Sequence, residues 1–514
     1  MRTKTAAAVC AVLLLSGCGG SASSESSQTG VSSQARTAIA KTKTEEGKRV
    51  ETSGDNTVLF KALEQQNNPL ITNIFCADPT AVEYEGRLYV FGTNDQQQYL
   101  EKGGENTYER IKSFVILSTD DMANWRYEGT INTGEIAPWV YASWAPSVVK
   151  RTEEDGKTHF YLYFSNSGNG VGVLTAEDPR GPWSDPLGKP LIYNGMEGLK
   201  NSPQPFDPGA VIDDDGTGWL AFGGGRANSG TDLYPGTARI VKLGEDMLSF
   251  DSDFVEIKAP YFFEASELNF FGGKYIYTFN TSWEKRTDWD HDSGKGTPPT
   301  CSMCYMTSSD PLDTDSWEYQ EHYLKNPGQL GMEYSNNHTH LQKFGDKYYL
   351  FYHTLILQKE LGVEGGYRSI GADEVEVDEE NAVINECFAS RTGTKALKNL
   401  SPYEIRQGEE GFLTDCEYGS QIGVNYAKCE SGKVIAVKNV DFGDKAGTFK
   451  AVVRGSGTLE MRLDSIMGDS AVSLSFDCKD WAEAEGTVTA GGVHDIYFVF
   501  DGKFDLDSWE TTEK

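Results

Sequence analysis

Gly345-Asp-Lys-Tyr-Tyr-Leu-Phe-Tyr352 begins with a turn glycine and continues as an unbroken run of aromatic and aliphatic residues. A turn followed by such a run reads as the second strand of a β-hairpin. The same pattern occurs four more times, in Gly86-Arg-Leu-Tyr-Val-Phe-Gly92, Gly156-Lys-Thr-His-Phe-Tyr-Leu-Tyr-Phe164, Gly216-Thr-Gly-Trp-Leu-Ala-Phe222 and Gly273-Lys-Tyr-Ile-Tyr-Thr-Phe279. The copies stand about 57–72 residues apart, room for one four-stranded sheet and its loops. No long helical period competes with this pattern. Five such units set radially predict a five-bladed β-propeller over residues 58–395.

Seven to nine residues before each glycine stands a polar residue: Asp78, Ser147, Asp207, Glu264 and His338. In equivalent blades these would start equivalent strands and converge at one end of a central funnel. Any one of them alone reads as a turn or capping residue, as Asp-Pro at 78–79 and 207–208 suggests; as a set they point to a site. Carboxyls facing each other across a sugar-sized cleft suit glycosidic-bond hydrolysis, one giving a proton to the leaving oxygen and one activating water. That chemistry needs no cofactor. Glu264 lies in Tyr261-Phe262-Phe263-Glu264, and such apolar neighbours raise a carboxyl's pKa as a general acid requires. Glu267, three residues on, is expected to face away from the funnel.

The rest of the chain sets the context. A formal net charge of −31 disfavours nucleic acid and anionic membranes as partners and is read mainly as a solubility feature. At the N-terminus Arg2 and Lys4 precede an apolar run from Ala6 to Leu15, too short to span a bilayer. It ends in Leu15-Ser16-Gly17-Cys18, which resembles the lipobox of bacterial lipoproteins. That predicts a signal peptide over residues 1–18 and an extracellular, cell-surface protein that meets the membrane only through a lipid on Cys18. Residues 19–57 are rich in serine and then in charge, and are expected to form a flexible tether. Seven cysteines remain after Cys10 and Cys18, an odd number that excludes a fully paired disulfide scaffold. Cys301 and Cys304 make a lone C-x-x-C with no second pair to complete a zinc site.

The motifs Ala77-Asp78-Pro79, Trp144-Ala145-Pro146, Phe206-Asp207-Pro208-Gly209, Phe263-Glu264-Ala265-Ser266 and Asn337-His338-Thr339-His340, in this order on this repeat, resemble glycoside hydrolase family 43. The resemblance implies an inverting enzyme acting on arabinofuranosyl or xylosyl linkages of plant cell-wall polysaccharide, of the arabinoxylan or arabinan type. It implies Asp78 as general base, Glu264 as general acid and Asp207 as the residue that tunes and orients the acid. Trp144 and Arg368 would be substrate contacts, and His338 the central-channel histidine near a structural calcium or other small ion. His340 stands where the family often has serine, which leaves a metal role for it open.

After residue 400 the repeat gives way to short alternating strands, among them Val434-Ile-Ala-Val-Lys438, Thr448-Phe-Lys-Ala-Val-Val453, Thr458-Leu-Glu-Met-Arg-Leu463 and Asp495-Ile-Tyr-Phe-Val-Phe500. This is a β-sandwich pattern over residues 400–514. It resembles carbohydrate-binding module family 6. The resemblance implies a second structural calcium on Glu409 and Asp507 and a sugar platform at Trp481, with Val434 in place of the family's first platform aromatic and Asp505 in place of its cleft asparagine. Weak sugar binding and a purely packing role are both open for this domain. For the whole chain the competing class is a lectin that holds sugar without cleaving it.

Overall fold

The computed structural model describes residues 39–52, 66–153, 156–199, 202, 204–225, 232–421, 423–444 and 447–513. The signal-peptide and lipobox residues lie outside these. The architecture is all-β, a five-bladed propeller followed by a β-sandwich, with only short helices such as Asp95–Glu101 and Ile356–Glu360.

Blade I consists of Ala77–Tyr84, Arg87–Thr93, Ser113–Thr119 and Trp125–Asn132 in antiparallel order. Blades II, III and IV repeat the arrangement with first strands Ser143–Thr152, Gly209–Ile212 and Phe262–Phe271. Blade V has three strands, Thr339–Phe344, Lys347–Thr354 and Ser369–Val375. Its outer strand is met by the chain's own entry into the propeller: Leu70 N–H donates to Ile370 O (2.8 Å), and Asn68 bonds Ala372 in both directions. Segments more than 300 residues apart therefore close the ring.

The turn glycines and aromatic runs found in the sequence form the second strand of every blade. The aromatic and aliphatic side chains of neighbouring blades interlock, so that a separate apolar core fills each of the five gaps between blades. The first strands contact one another in ring order around the axis. Between blades III and IV this approach needs a glycine, because a Cβ on Gly209 would lie 2.4 Å from Glu267 Cα.

The first strands also share an irregularity. Register shifts interrupt pairing between Ala77 and Thr80, between Trp144 and Ser147, and between Glu264 and Glu267. Such bulges re-aim side chains and gather beside active sites. Asp78, Ala145, Asp207 and Ala265 each take a positive φ there, of 49°, 42°, 49° and 60°, a strained region for residues with a side chain. Each displaced amide is received by the preceding blade around the ring. Ala145 N–H donates to Thr93 Oγ1, Asp207 N–H to Ser165 Oγ, Ala265 N–H to Asp207 Oδ2, and Asp78 N–H to His353 Nδ1.

The bulge corrects one expectation. Counting back from the turn glycine puts Ser147 at the level of Asp78, but Ala145 is the residue there. Ser147 lies two residues further along, and its hydroxyl accepts Ala210 N–H from blade III.

The C-terminal domain is built on three long strands, Gly447–Leu463, Ser470–Thr487 and Val493–Glu513, around one apolar core. The two strands expected at Thr448–Val453 and Thr458–Leu463 are one strand, bent at Gly455 (φ 124°). Glu410–Gly411 adds a fifth strand to blade I, so the domain shares a sheet with the propeller. Thr72 and Thr414 bond each other reciprocally across the same boundary, and Tyr127 stacks on Tyr418 at 4.8 Å.

A second correction concerns the expected tether. Ala40–Lys41 and Glu45–Glu46 pair with Ser470–Thr487, and Val50 is buried against the sandwich. Val50 N–H donates to Glu460 Oε2 (2.7 Å), and Arg462 donates to Val50 O. Backbone pairing to an edge strand needs little side-chain apolarity, so a serine- and charge-rich composition did not reveal it.

Candidate active site

Three carboxyls stand at the funnel end of the first strands of blades I, III and IV. Asp78 is 4% exposed. Its Oδ1 accepts from Arg368 Nη1 at 2.7 Å and lies 3.3 Å from His353 Nδ1 and 4.0 Å from His338 Nδ1. Burial works against its charge, but the Arg368 guanidinium outweighs burial and holds the carboxyl well below the ordinary range. Asp78 is therefore ionised at any working pH.

Asp207 and Glu264 are shifted the other way. Burial, then the negative charge of Asp78, pushes Asp207 up to about 7, against bonds from Ala265 N–H and Ser165 Oγ. Burial, then Asp207, then Asp78, raises Glu264 well above its ordinary value. Glu264 Oε1 is enclosed and has no hydrogen-bond partner. The pair titrates as a unit and retains a proton near neutrality, placed beside a fixed carboxylate. This is the separation of protonation states that acid and base roles require.

Arg368 is gripped by two carboxylates. It is 3% exposed, its Nη1 is held by Asp78, and its Nε and Nη2 are held by both oxygens of Asp95 at 2.9 and 2.8 Å. A guanidinium held in this way positions and charges the base. Asp95 begins the helix Asp95–Glu101 and also accepts from Asn106 Nδ2. Tyr108, in the following loop, lies with its ring 4.7 Å from the Arg368 guanidinium and edge-on to Trp144. Neither Asp95 nor Tyr108 stands in the repeat, and nothing periodic in the sequence marks them.

Trp144 is half-buried, and its indole N–H donates to Tyr108 O (2.9 Å). It lines an open cavity of about 390 Å³ with Tyr141, Ser167, Asn169, Asn194 and Gln204. Trp144 and Glu264 occupy the same position in their blades, one residue before the positive-φ residue.

The channel histidines His338 and His340 stand beside the carboxyls of Asp78 and Glu267 respectively. Burial lowers His338 to about 4, which keeps its imidazole neutral, and the adjacent Asp78 oxygen is taken by Arg368. Below it His340 Nδ1 pairs with Glu267 Oε1 at 2.8 Å. Among the described residues no group of three or more His, Cys, Asp or Glu side chains is placed to hold a metal. Cys301 and Cys304 carry free, buried thiols with separate partners, Asn326 and Tyr319.

The glycosyl hydrolase family 43 model matches residues 66–382, the span of these blades. The chain belongs to that family. It is a glycosidase, and its sandwich matches the family 6 carbohydrate-binding module over residues 407–513. An arabinoxylan arabinofuranohydrolase from Bacillus subtilis is 36% identical over 487 residues, covering 87% of this chain and 93% of that one. Another from Paenibacillus polymyxa is 35% identical, covering 87% and 74%. A crystal structure of a family 43 arabinoxylan arabinofuranohydrolase from Bacillus subtilis with cellotetraose superposes with a TM-score of 0.80 at 34% identity, covering 88% of this chain and 98% of that one.

In the module of this family 43 chain, Trp481 is half-buried and meets Tyr426 edge-on at 5.5 Å. The aromatic beside Trp481 is Tyr426, while Val434 is fully buried. Arg454 lies 4.5 Å from the Trp481 ring and 5.2 Å from that of Tyr426, and its Nε donates to Asp505 (3.0 Å). A cation held against the platform competes with a sugar for that face. Trp481→Ala is expected to weaken retention on insoluble arabinoxylan severalfold at most, with turnover of a small chromogenic glycoside unchanged; pull-down and initial rates check both.

The residues at the expected second calcium position fit a hard cation. Glu409 is buried, and its Oε2 has no partner. Burial, then the nearby carboxyls of Glu128 and Asp507, outweighs the opposing Arg126 charge and pushes Glu409 up to about 8. Glu409 and Asp507 would hold the ion with backbone carbonyls and water. Without a cation, Glu409 destabilises the fold as pH rises from its unfolded value, about 4.3, toward 8. Adding calcium at neutral pH to chelator-treated protein is therefore expected to raise Tm by a few degrees, an increase that Glu409→Gln abolishes.

Proposed function

We propose that this glycosidase removes arabinofuranosyl side groups from arabinoxylan-type polysaccharide by a single-step inverting reaction. The supporting observation is the split among three neighbouring carboxyls: Asp78 is held ionised by Arg368, while Asp207 and Glu264 retain a proton. In the proposed step Asp78 takes a proton from a water that attacks the anomeric carbon, the glycosidic bond breaks, and Glu264 protonates the leaving oxygen. Asp207 keeps Glu264 protonated by like-charge repulsion. Trp144 and Tyr108 wall the sugar's side of the funnel. The choice of arabinofuranose over xylose follows the similarity to the two arabinoxylan arabinofuranohydrolases. Turnover of p-nitrophenyl α-L-arabinofuranoside above that of the β-D-xyloside, with arabinose released from arabinoxylan, tests it; no turnover of either would leave a lectin.

Stereochemistry gives a second test. Asp78 and Glu264 belong to blades that are not neighbours in the ring, a placement that favours the wider carboxyl spacing of about 6.5–9.5 Å that seats a water. Proton NMR should show the first product with inverted anomeric configuration, before mutarotation. Retention would require a nucleophile other than these three.

The lipobox reading adds that the enzyme works outside the cell, anchored by a lipid on Cys18. Loss of palmitate labelling and release of the Cys18→Ala chain into the medium are the expected results.

A further inference from the structure

Two cysteines of the sandwich have no part in anything above. Glu417–Gln421 and Val424–Glu430 form an antiparallel hairpin in which Glu417 pairs with Lys428. One step along the same register, Cys416 faces Cys429. Directly opposed residues of an antiparallel pair hold their Cα atoms about 4.5–5.5 Å apart, within the span of about 4.4–6.8 Å that a disulfide bridges. Both side chains enter the sandwich core and both are fully buried. Their thiols make long contacts to backbone carbonyls, Val434 O at 3.9 Å and Ala427 O at 3.8 Å. The hairpin they close also carries contacts with the propeller, through Tyr418 on Tyr127 and Asn425 Nδ2 donating to Tyr127 O.

We propose that Cys416 and Cys429 form a cross-strand disulfide when the chain folds in an oxidising environment, clamping this hairpin beneath blade I. The co-reactant is a small-molecule disulfide such as oxidised glutathione. One cysteine thiolate attacks it, giving a mixed disulfide and releasing one small thiol. The second cysteine thiolate then displaces the other half. Two S–H bonds are lost, one S–S bond joins the cysteines, and the donor is reduced to two thiols. The step belongs to folding, because the finished structure encloses both sulfurs. Burial, then the adjacent Cys416 thiol, also pushes the Cys429 thiol well above its ordinary value and removes the reactive thiolate. The oxidation state is thereby fixed as the hairpin closes.

The test compares the full chain made in an oxidising bacterial periplasm with the chain made in a reducing cytosol. Each is alkylated under denaturing conditions and mapped by peptide mass spectrometry. The periplasmic chain should yield one linked peptide containing Cys416 and Cys429, two hydrogens lighter than the reduced pair, with a Tm several degrees above that of the cytosolic chain. Refolding the cytosolic chain in a glutathione redox buffer should produce the same peptide. Full alkylation of both cysteines in a periplasmic chain with native near-UV circular dichroism would overturn the proposal, as would linkage of either to a third cysteine. The map is read on the unsubstituted chain, so it does not depend on a variant folding.

Discussion

Glu264→Gln and Asp78→Asn are each expected to cut kcat/KM by about 10²–10⁴-fold while leaving the circular dichroism of the native chain intact. The two losses should differ in kind. Glutamine at 264 removes only the proton given to the leaving oxygen. Its effect should shrink greatly with a dinitrophenyl leaving group, which departs without protonation. Asparagine at 78 removes the base that activates water, and its effect should persist whatever the leaving group. The basic limb of the wild-type pH profile should report the Asp207–Glu264 pair, both shifted upward, since activity falls as Glu264 loses its proton. Equal losses for Glu264→Gln across good and poor leaving groups would remove it from the acid role.

Arg368→Met is expected to be the most damaging change outside the three carboxyls. It strips the counter-charge from Asp78 and Asp95, both buried, and removing one partner of a buried ion pair costs roughly 3–5 kcal/mol. The pH dependence gives the effect a signature. Asp78 is depressed in the native state, so it stabilises the fold above its unfolded value of about 3.9, and that contribution fades as pH falls toward the native value. In the variant the carboxyl prefers its proton. The stability gap between wild type and variant should therefore be widest near pH 7 and narrow below pH 4 in urea titrations. The acidic limb of kcat/KM should move toward neutrality in the same variant. An unmoved limb would show that Arg368 supports structure without charging the base.

How much of this was legible in the sequence depends on whether a residue belonged to a repeating pattern. The propeller was readable because each blade's second strand restates one turn glycine and one aromatic run. Asp78, Asp207 and Glu264 were readable because they precede those runs at nearly constant spacing. Ser147 was misplaced because a bulge adds residues that a spacing count cannot see. Arg368 was located through the family motif, and only the fold supplies the two carboxylates that hold it. Asp95, Tyr108, His353, Tyr426 and Arg454 arrive from a short helix, a loop or distant strands, and their meaning lies in contacts between positions up to hundreds of residues apart.

The bulge amides tie the base to the closure of the ring. Asp78 is placed early in the propeller, yet the groups that hold it, His353 at its amide and Arg368 at its carboxylate, belong to the fifth blade. A propeller open at the seam between its first and last blades has its other two carboxyls in place and no charged base between them. Hydrolytic competence thus depends on that seam being closed, and loosening it is expected to silence the chemistry while the other blades stay paired.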